Sequence, residues 1–331
     1  MSVTTLAFFL LGLTGLLGGA ELLLRAASRL AALFGMRPII IGLAVVSLGT
    51  SAPELFIAVT AATENRSDLV LGNIVGTNIF NLSFILGASA CLRPLPLHSL
   101  SLRFDLPVMV TSGVLLWILG WDGTLSGLDG LTLLAGAVIY TLIRVDLGRR
   151  ESKAFRRAYI AEFGKAATGI KGPATPHFCP TLLRQLLWLA IGIGILSISA
   201  DTLLASSIEI ARFWGITETV IGLTALAIGT SLPELATTLL ATWRGERDVA
   251  IGNLIGSSLY NILAILAVAS LAATPALAVS SDILRRDIPV MLGIAGLCWL
   301  TFFGQHTLSR TEGALLVVSA SGYFTMLAVS T

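Results

Sequence analysis

Charge is scarce in this chain. Only 12% of its 331 residues are charged, while 55% are hydrophobic. A soluble globular domain carries about 25% charged residues, so the shortage excludes a fold kept in water by an ionised surface. The net charge is only +2 and no basic run is interleaved with aromatics, which argues against a nucleic-acid partner. Cysteine is scarce as well. Cys91, Cys179 and Cys298 stand far apart without a C-x-x-C spacing, so neither a zinc site nor a disulfide framework is indicated. His98, His177 and His306 are scattered, and no two share metal-ligand spacing. There is no H-E-x-x-H, no nucleophile elbow and no Ser/His pairing, so an enzyme is not expected, nor a cofactor.

Apolar length is abundant, and so is glycine, with 33 residues. Glycine is frequent in transmembrane helices, where it lets backbones approach closely. A bilayer core of about 30 Å takes about 20 apolar residues at helical rise. The apolar runs predict an all-α, polytopic membrane protein of ten transmembrane helices. They lie near 3–25, 37–62, 68–90, 104–121, 127–145, 184–205, 217–242, 248–272, 284–303 and 310–330. A β-barrel would instead show alternating segments of about ten residues, which are absent. The first run, Leu6 to Leu17, lacks a preceding basic segment and has a counterpart in the second half, so it is expected to be a retained helix.

The two halves repeat. Gly49-Thr50-Ser51-Ala52-Pro53-Glu54 returns as Gly229-Thr230-Ser231-Leu232-Pro233-Glu234. Gly72-Asn73-Ile74-Val75-Gly76-Thr77 returns at the same offset as Gly252-Asn253-Leu254-Ile255-Gly256-Ser257, and Glu21 and Asp201 share that offset. Arg103-Phe104-Asp105-Leu106-Pro107 returns as Arg285-Arg286-Asp287-Ile288-Pro289 at a slightly larger one. Five helices per half is an odd number, so the second half enters the membrane the other way round. The expectation is two inverted five-helix repeats, 1–145 and 184–331, joined by a basic loop, 146–183, with the ion site near the midplane.

That loop holds Arg149, Arg150, Lys153, Arg156, Arg157, Lys165 and Lys171, flanked by Arg144 and Arg184. The positive-inside rule places it in the cytoplasm and both termini outside. The expected location is the plasma (inner) membrane, with lipid as the surrounding partner. The loop is too short for a calcium-sensing domain.

Glu54 and Glu234 carry the chemistry. A carboxylate inside an apolar helix costs roughly 2.5–3.5 kcal/mol even on the lenient insertion scale, and here the cost is incurred twice. A bound cation or a proton is needed to offset it. Pro53 and Pro233 lack a backbone N–H and clash with the carbonyl four residues back. They are expected to free the carbonyls of Gly49 and Gly229 and to perturb those of Thr50 and Thr230. Freed carbonyls beside a carboxylate make a hard-oxygen site suited to Ca2+ or Na+. Ser47, Thr50, Ser51 and Glu54 share one helix face. Asn73, Thr77 and Asn81, with Asn253, Ser257 and Asn261, recur at helical spacing. They are read either as oxygen donors or as interhelical hydrogen-bonding groups. Glu21 and Asp201 are placed near the ends of the first and sixth helices as ion-pair anchors, and Asp105 and Asp287, each two residues before a proline, as helix caps.

The doubled pattern G-T-S-x-P-E, then G-N-x-x-G-[ST]-x-x-x-N, resembles the two α-repeats of the cation/calcium exchanger superfamily, in particular the compact prokaryotic sodium/calcium exchangers. The resemblance implies that the second, third, seventh and eighth helices surround one central and several flanking ion sites, and that the first and sixth slide to alternate access. It implies that Glu54 and Glu234 bind Ca2+, with the Thr50 and Thr230 carbonyls completing its shell. Ser51, Thr77 and Asn81, with Ser231, Ser257 and Asn261, would form counter-ion sites. Ser47 and Ala227 match positions whose backbone carbonyls line the flanking sites. Asn261 stands where well-known members carry an aspartate. Two glutamates balance two Na+, whereas a third would leave an uncompensated charge in a low-dielectric site. The implied activity is antiport of Ca2+ for Na+, with H+ as the alternative coupling ion and a passive cation channel as a more distant reading. A monomer suffices for it.

Overall fold

The structure, a computed structural model, describes residues 3–34, 38–96, 101–163, 178–214, 228–305 and 307–330. The chain forms helices α1 (Val3–Phe34), α2 (Ile39–Thr50), α3 (Ala52–Thr63), α4 (Ser67–Leu92), α5 (Leu106–Leu119) and α6 (Gly127–Phe163). These are followed by α7 (Phe178–Phe213), α8 (Leu232–Arg244), α9 (Arg247–Ala272), α10 (Ile288–Gln305) and α11 (Arg310–Ser330). Among the described residues, six helices are each long and apolar enough to cross a membrane, or up to seven if the bent pair α2–α3 is one span. The chain is a mostly helical integral membrane protein.

Burial sorts these helices into a centre and a periphery. The apolar windows of α4 and α9 are 78% and 83% buried, whereas those of α1 and α7 are 28% and 33% buried. Leu10, Leu11, Leu142, Leu183, Leu187 and Ile198 are exposed on the outer helices. Exposed leucines suit helices whose outer face meets lipid. The two central helices are nevertheless the ones that carry asparagines. Asn73, Asn78 and Asn81 on α4, and Asn253 and Asn261 on α9, are all buried. Buried amides on the innermost helices mark a polar interior, because each needs a partner there.

Glycines set the close approaches. A Cβ at Gly252 on α9 would stand 2.6 Å from the Ile39 carbonyl oxygen, so α2 and α9 touch backbone to backbone. The outer helices α1 and α7 do the same: a Cβ at Gly12 would meet the Leu203 backbone at 2.8 Å, and one at Gly192 the Leu23 backbone at 3.0 Å.

Two short strand pairs tie the halves together. β1 (Leu95–Pro96) pairs antiparallel with β4 (Thr307–Leu308), and β2 (Thr124–Leu125) with β3 (Leu277–Ala278). Each pair joins a loop of the first half to a loop of the second. Equivalent positions also carry π-helical turns: Asn81–Ile85 matches Asn261–Ile265, and Ser101–Asp105 matches Ile283–Asp287. Such turns widen a helix by one residue and often lie at functional sites.

Four expectations change. Asp105 is not a cap. It has helical φ −66 and ψ −46 and makes no capping bond, because the helix has already begun in the π turn. Its Oδ1 instead accepts the Tyr140 hydroxyl at 3.0 Å and stands 3.0 Å from Arg144 Nε. Asp287 repeats this, accepting from Tyr323 at 3.0 Å and from Arg286 at 2.8 Å. Arg144 is therefore no loop-flanking charge but a buried one. The basic segment is helical at both ends, since α6 runs on to Phe163 and α7 starts at Phe178. Hydropathy marks where a helix leaves the apolar layer, not where it ends. Glu21 and Asp201 likewise lie inside α1 and α7 rather than at their ends. Glu21 pairs with Arg25 and with Arg244 of α8, while Asp201 is exposed. His98, His177 and His306 and the segment 215–227 lie outside the described residues.

Candidate ion-binding site

Each glutamate sits at a break in its helix. α2 and α3 meet at an angle of 46°. The break is at Ser51, with φ −83 and ψ 14, and Pro53 lies in the first turn of α3. Ser231 adopts nearly the same geometry, φ −84 and ψ 2, ahead of Pro233 in the first turn of α8. The proline explains both breaks: it fits the opening turn of a helix but cannot continue the hydrogen-bond ladder behind it. Glu54 and Glu234 thus occupy helix N-terminal turns, where the backbone N–H groups favour negative charge. Across the break the Ser51 N–H donates to the Ser47 carbonyl at 3.0 Å.

The two carboxylates come together from opposite halves. Both are 0% exposed, and they are close enough to repel each other. Glu234 Oε1 accepts from Ser51 Oγ at 2.9 Å and from Ser257 Oγ at 3.5 Å, while its Oε2 has no hydrogen-bond partner. Neither oxygen of Glu54 meets a donor at hydrogen-bonding geometry, although the Thr230 side chain is near enough to interact. No basic side chain pairs with either glutamate among the described residues. Two such carboxylates in a low-dielectric interior need a compensating positive charge.

The surrounding groups are neutral oxygens, woven across the halves. Thr50 Oγ1 donates to Asn253 Oδ1 at 3.1 Å, and Thr230 Oγ1 donates to Asn73 Oδ1 at 3.4 Å. These two contacts are equivalents under the sequence repeat. Thr77 and Thr230 hydroxyls stand 3.4 Å apart. Ser231 is fully buried beside Glu234 in sequence, as Ser51 is near Glu54. Ser47 is buried too, its hydroxyl donating to the Leu43 carbonyl and its own carbonyl accepting from Ser51 N at 3.0 Å. Ala227 lies outside the described residues.

Of the asparagines, Asn253 is committed to structure. Its Nδ2 donates to Thr237 at 3.0 Å and to Thr238 at 3.1 Å, so every polar atom of its amide is engaged. Asn81 is the opposite case, with Oδ1 and Nδ2 both buried and unpartnered. Asn261 donates through Nδ2 to Asn78 Oδ1 at 3.1 Å and keeps Oδ1 without a partner. Sequence reasoning misses Asn78, Thr237 and Thr238. Thr237 and Thr238 follow Glu234 by three and four residues, which is a usable signal. Asn78 falls outside the i, i+4, i+8 row of its helix, and nothing in the pattern points to it.

The set as a whole is two carboxylates plus hydroxyl, amide and carbonyl oxygens. Among the described residues no three His, Cys, Asp or Glu side chains cluster to hold a metal. A site of few charges and many neutral oxygens suits a hard cation that must also leave.

Comparisons with known proteins identify the family of the chain. The family described as sodium/calcium exchanger protein matches residues 4–145 and 184–329. The inner membrane protein YrbG of Escherichia coli (strain K12) is 36% identical over 305 residues, covering 88% of each chain. The sodium/calcium exchanger MaX1 of Methanosarcina acetivorans is 29% identical over 349 residues, covering 99% of each. Among solved structures, the sodium-calcium exchanger NCX_Mj soaked with zero Na+ and Ca2+ superposes with a TM-score of 0.80 at 26% identity, covering 99% of this chain and 100% of that one. These relatives are exchangers and membrane proteins, so an enzyme is excluded. Matched by that family model along both halves of its length, this chain is a member of the sodium/calcium exchanger protein family.

Proposed function

We propose that this protein is a secondary antiporter exchanging Ca2+ for Na+ by alternating access, with Glu54 and Glu234 as the central cation ligands. One observation carries the reading: Glu54 presents two buried oxygens without a hydrogen-bonding donor, opposite a second buried carboxylate. Such oxygens are tolerable only with a cation or a proton between them. Ser51 and Ser257 hold Glu234 in place, and Thr50, Thr230, Ser231, Thr77, Asn81, Asn261, Ser47 and Ala227 supply the remaining oxygens.

The same proposal includes ten membrane helices in two inverted repeats, with both termini outside and the 146–183 segment in the cytoplasm. The strand pairs support it. In an inverted repeat Leu95 and Leu308 fall on one side of the membrane and Leu125 and Leu277 on the other, and these are the residues that pair. The relative YrbG, an inner membrane protein, supports an inner-membrane location. The glycine-lined contact of α1 with α7 suits a pair of outer helices that moves as one body.

The test is radiolabelled Ca2+ uptake into proteoliposomes under an imposed Na+ gradient or an imposed proton gradient. Uptake driven by the Na+ gradient is expected. Uptake driven only by the proton gradient would make H+ the coupling ion. Leak without any exchange requirement would mean a channel, and no flux at all would remove the proposal.

Asn261→Asp adds a third carboxyl to the site. It is expected to raise the Na+ moved per Ca2+ and to steepen the voltage dependence, because one more monovalent charge is then balanced. Reversal potentials at fixed ion gradients report this directly, and an unchanged ratio would refute the charge argument.

A further inference from the structure

Two amide orientations in this site are determined by one backbone carbonyl. Asn78 Nδ2 lies 3.1 Å from the Ser258 carbonyl oxygen and 3.7 Å from the Met291 sulfur. Neither neighbour carries a proton to give, so Asn78 must turn its NH2 group toward them. Its Oδ1 therefore faces the other way, toward Asn261, at 3.1 Å. An amide oxygen can only accept, so Asn261 must offer its own NH2 group. The atom of Asn261 left without a partner is then Oδ1. Asn78, Ser258 and Asn261 are buried, at 1%, 0% and 0% exposure, so water does not scramble this order. Asn261 lies one turn beyond Ser257, whose hydroxyl reaches Glu234, and Thr77, next to Asn78, reaches Thr230.

The repeat gives an internal control. The position equivalent to Asn78 is Ser258, which is too short to clamp an amide. The equivalent of Asn261 is Asn81, and both its amide atoms are unpartnered, as is Ser258 Oγ. One of two equivalent asparagines is therefore held with its oxygen free, and the other is not held at all.

We propose that Asn78 is a positioning residue that turns Asn261 so that its oxygen, not its nitrogen, is left to meet a cation. The pre-set oxygen spares the bound state the cost of ordering that side chain, whereas Asn81 must orient as the ion arrives. This rests on the exchange reading above.

Proteoliposome exchange of radiolabelled Ca2+ against Na+ tests it. Asn78→Leu keeps the branched side-chain shape but removes its hydrogen bonds, and it is expected to raise the half-saturating cation concentration about fivefold to tenfold, chiefly in KM rather than kcat, since one lost hydrogen bond is worth about 1 kcal/mol and tenfold is about 1.4 kcal/mol. In an Asn261→Asp background the same substitution is expected to cost nothing, because a carboxylate offers oxygen whichever way it faces. An equal loss in both backgrounds would show that Asn78 merely packs, and would overturn the proposal. If Asn78→Leu is not recovered as monodisperse protein, Ser258→Asn decides. It supplies the missing clamp to Asn81 and is expected to lower the half-saturating concentration; no change or a rise would overturn the proposal. Absence of exchange by the unsubstituted protein would instead strike the functional reading.

Discussion

Glu54→Gln is expected to abolish Ca2+-dependent exchange while making the ion-free protein more resistant to heat. The substitution keeps shape but removes one of two charges from a site where Glu54 has no hydrogen-bonding donor and no basic partner among the described residues. Removing one member of a buried charge interaction costs about 3–5 kcal/mol. At 1.4 kcal/mol per factor of ten, that is roughly two to three and a half orders of magnitude in Ca2+ affinity. The same change relieves the repulsion between Glu54 and Glu234 in the empty site. Thermal unfolding in detergent, with and without Ca2+, reads both effects: the ion-free midpoint rises and the Ca2+-induced shift disappears. Glu234→Gln is expected to behave alike, keeping an oxygen for Ser51. A variant that still shifts with Ca2+ as the unsubstituted protein does would mean that the carboxylates are not the ligands.

Arg144→Met is expected to give the largest loss of stability. Arg144 and Asp105 are 3% and 0% exposed and stand 3.0 Å apart. Truncating the arginine leaves the Asp105 carboxylate with the Tyr140 hydroxyl but no counter-charge. The cost of such an orphaned charge is about 3–5 kcal/mol. Replacing both members removes the orphan. Arg144→Met with Asp105→Leu should therefore recover most of the lost midpoint, the two changes coupling strongly rather than adding. Equal losses in the single and double variants would show that the pair contributes by packing alone. The second half offers a contrast. Asp287 keeps its tyrosine, Tyr323, but its arginine, Arg286, is a sequence neighbour at 35% side-chain exposure. Arg286→Met should cost far less, because water screens what is lost.

Much of the site is legible in the order of residues alone. Glu54 and Glu234 stand out because ionisable groups within apolar runs are costly, and the duplicated G-T-S-x-P-E makes the cost recur. Pro53 and Pro233 signal the helix breaks, since the missing N–H acts locally. The helix starts and ends are harder. Asp105 has the spacing of a cap because Pro107 follows it, but a π turn has already begun at Ser101. Arg144 has the place of a topology charge because it borders a basic run, yet the fold turns it inward. Asn78 is silent, because its role depends on a carbonyl and an amide far along the chain.

Composition and repetition alone are enough to specify a membrane protein, two related halves and one glutamate in the repeated G-T-S-x-P-E of each half. Those properties are carried by runs and spacings within a single segment, where the cost of taking charge into lipid does not depend on what packs alongside. Which oxygens meet, which amide turns which way, and which aspartate finds an arginine are settled by the folded chain. Those contacts join residues far apart in the chain, several of them across the two halves, and their geometry exists only once α4 and α9 are buried in the centre.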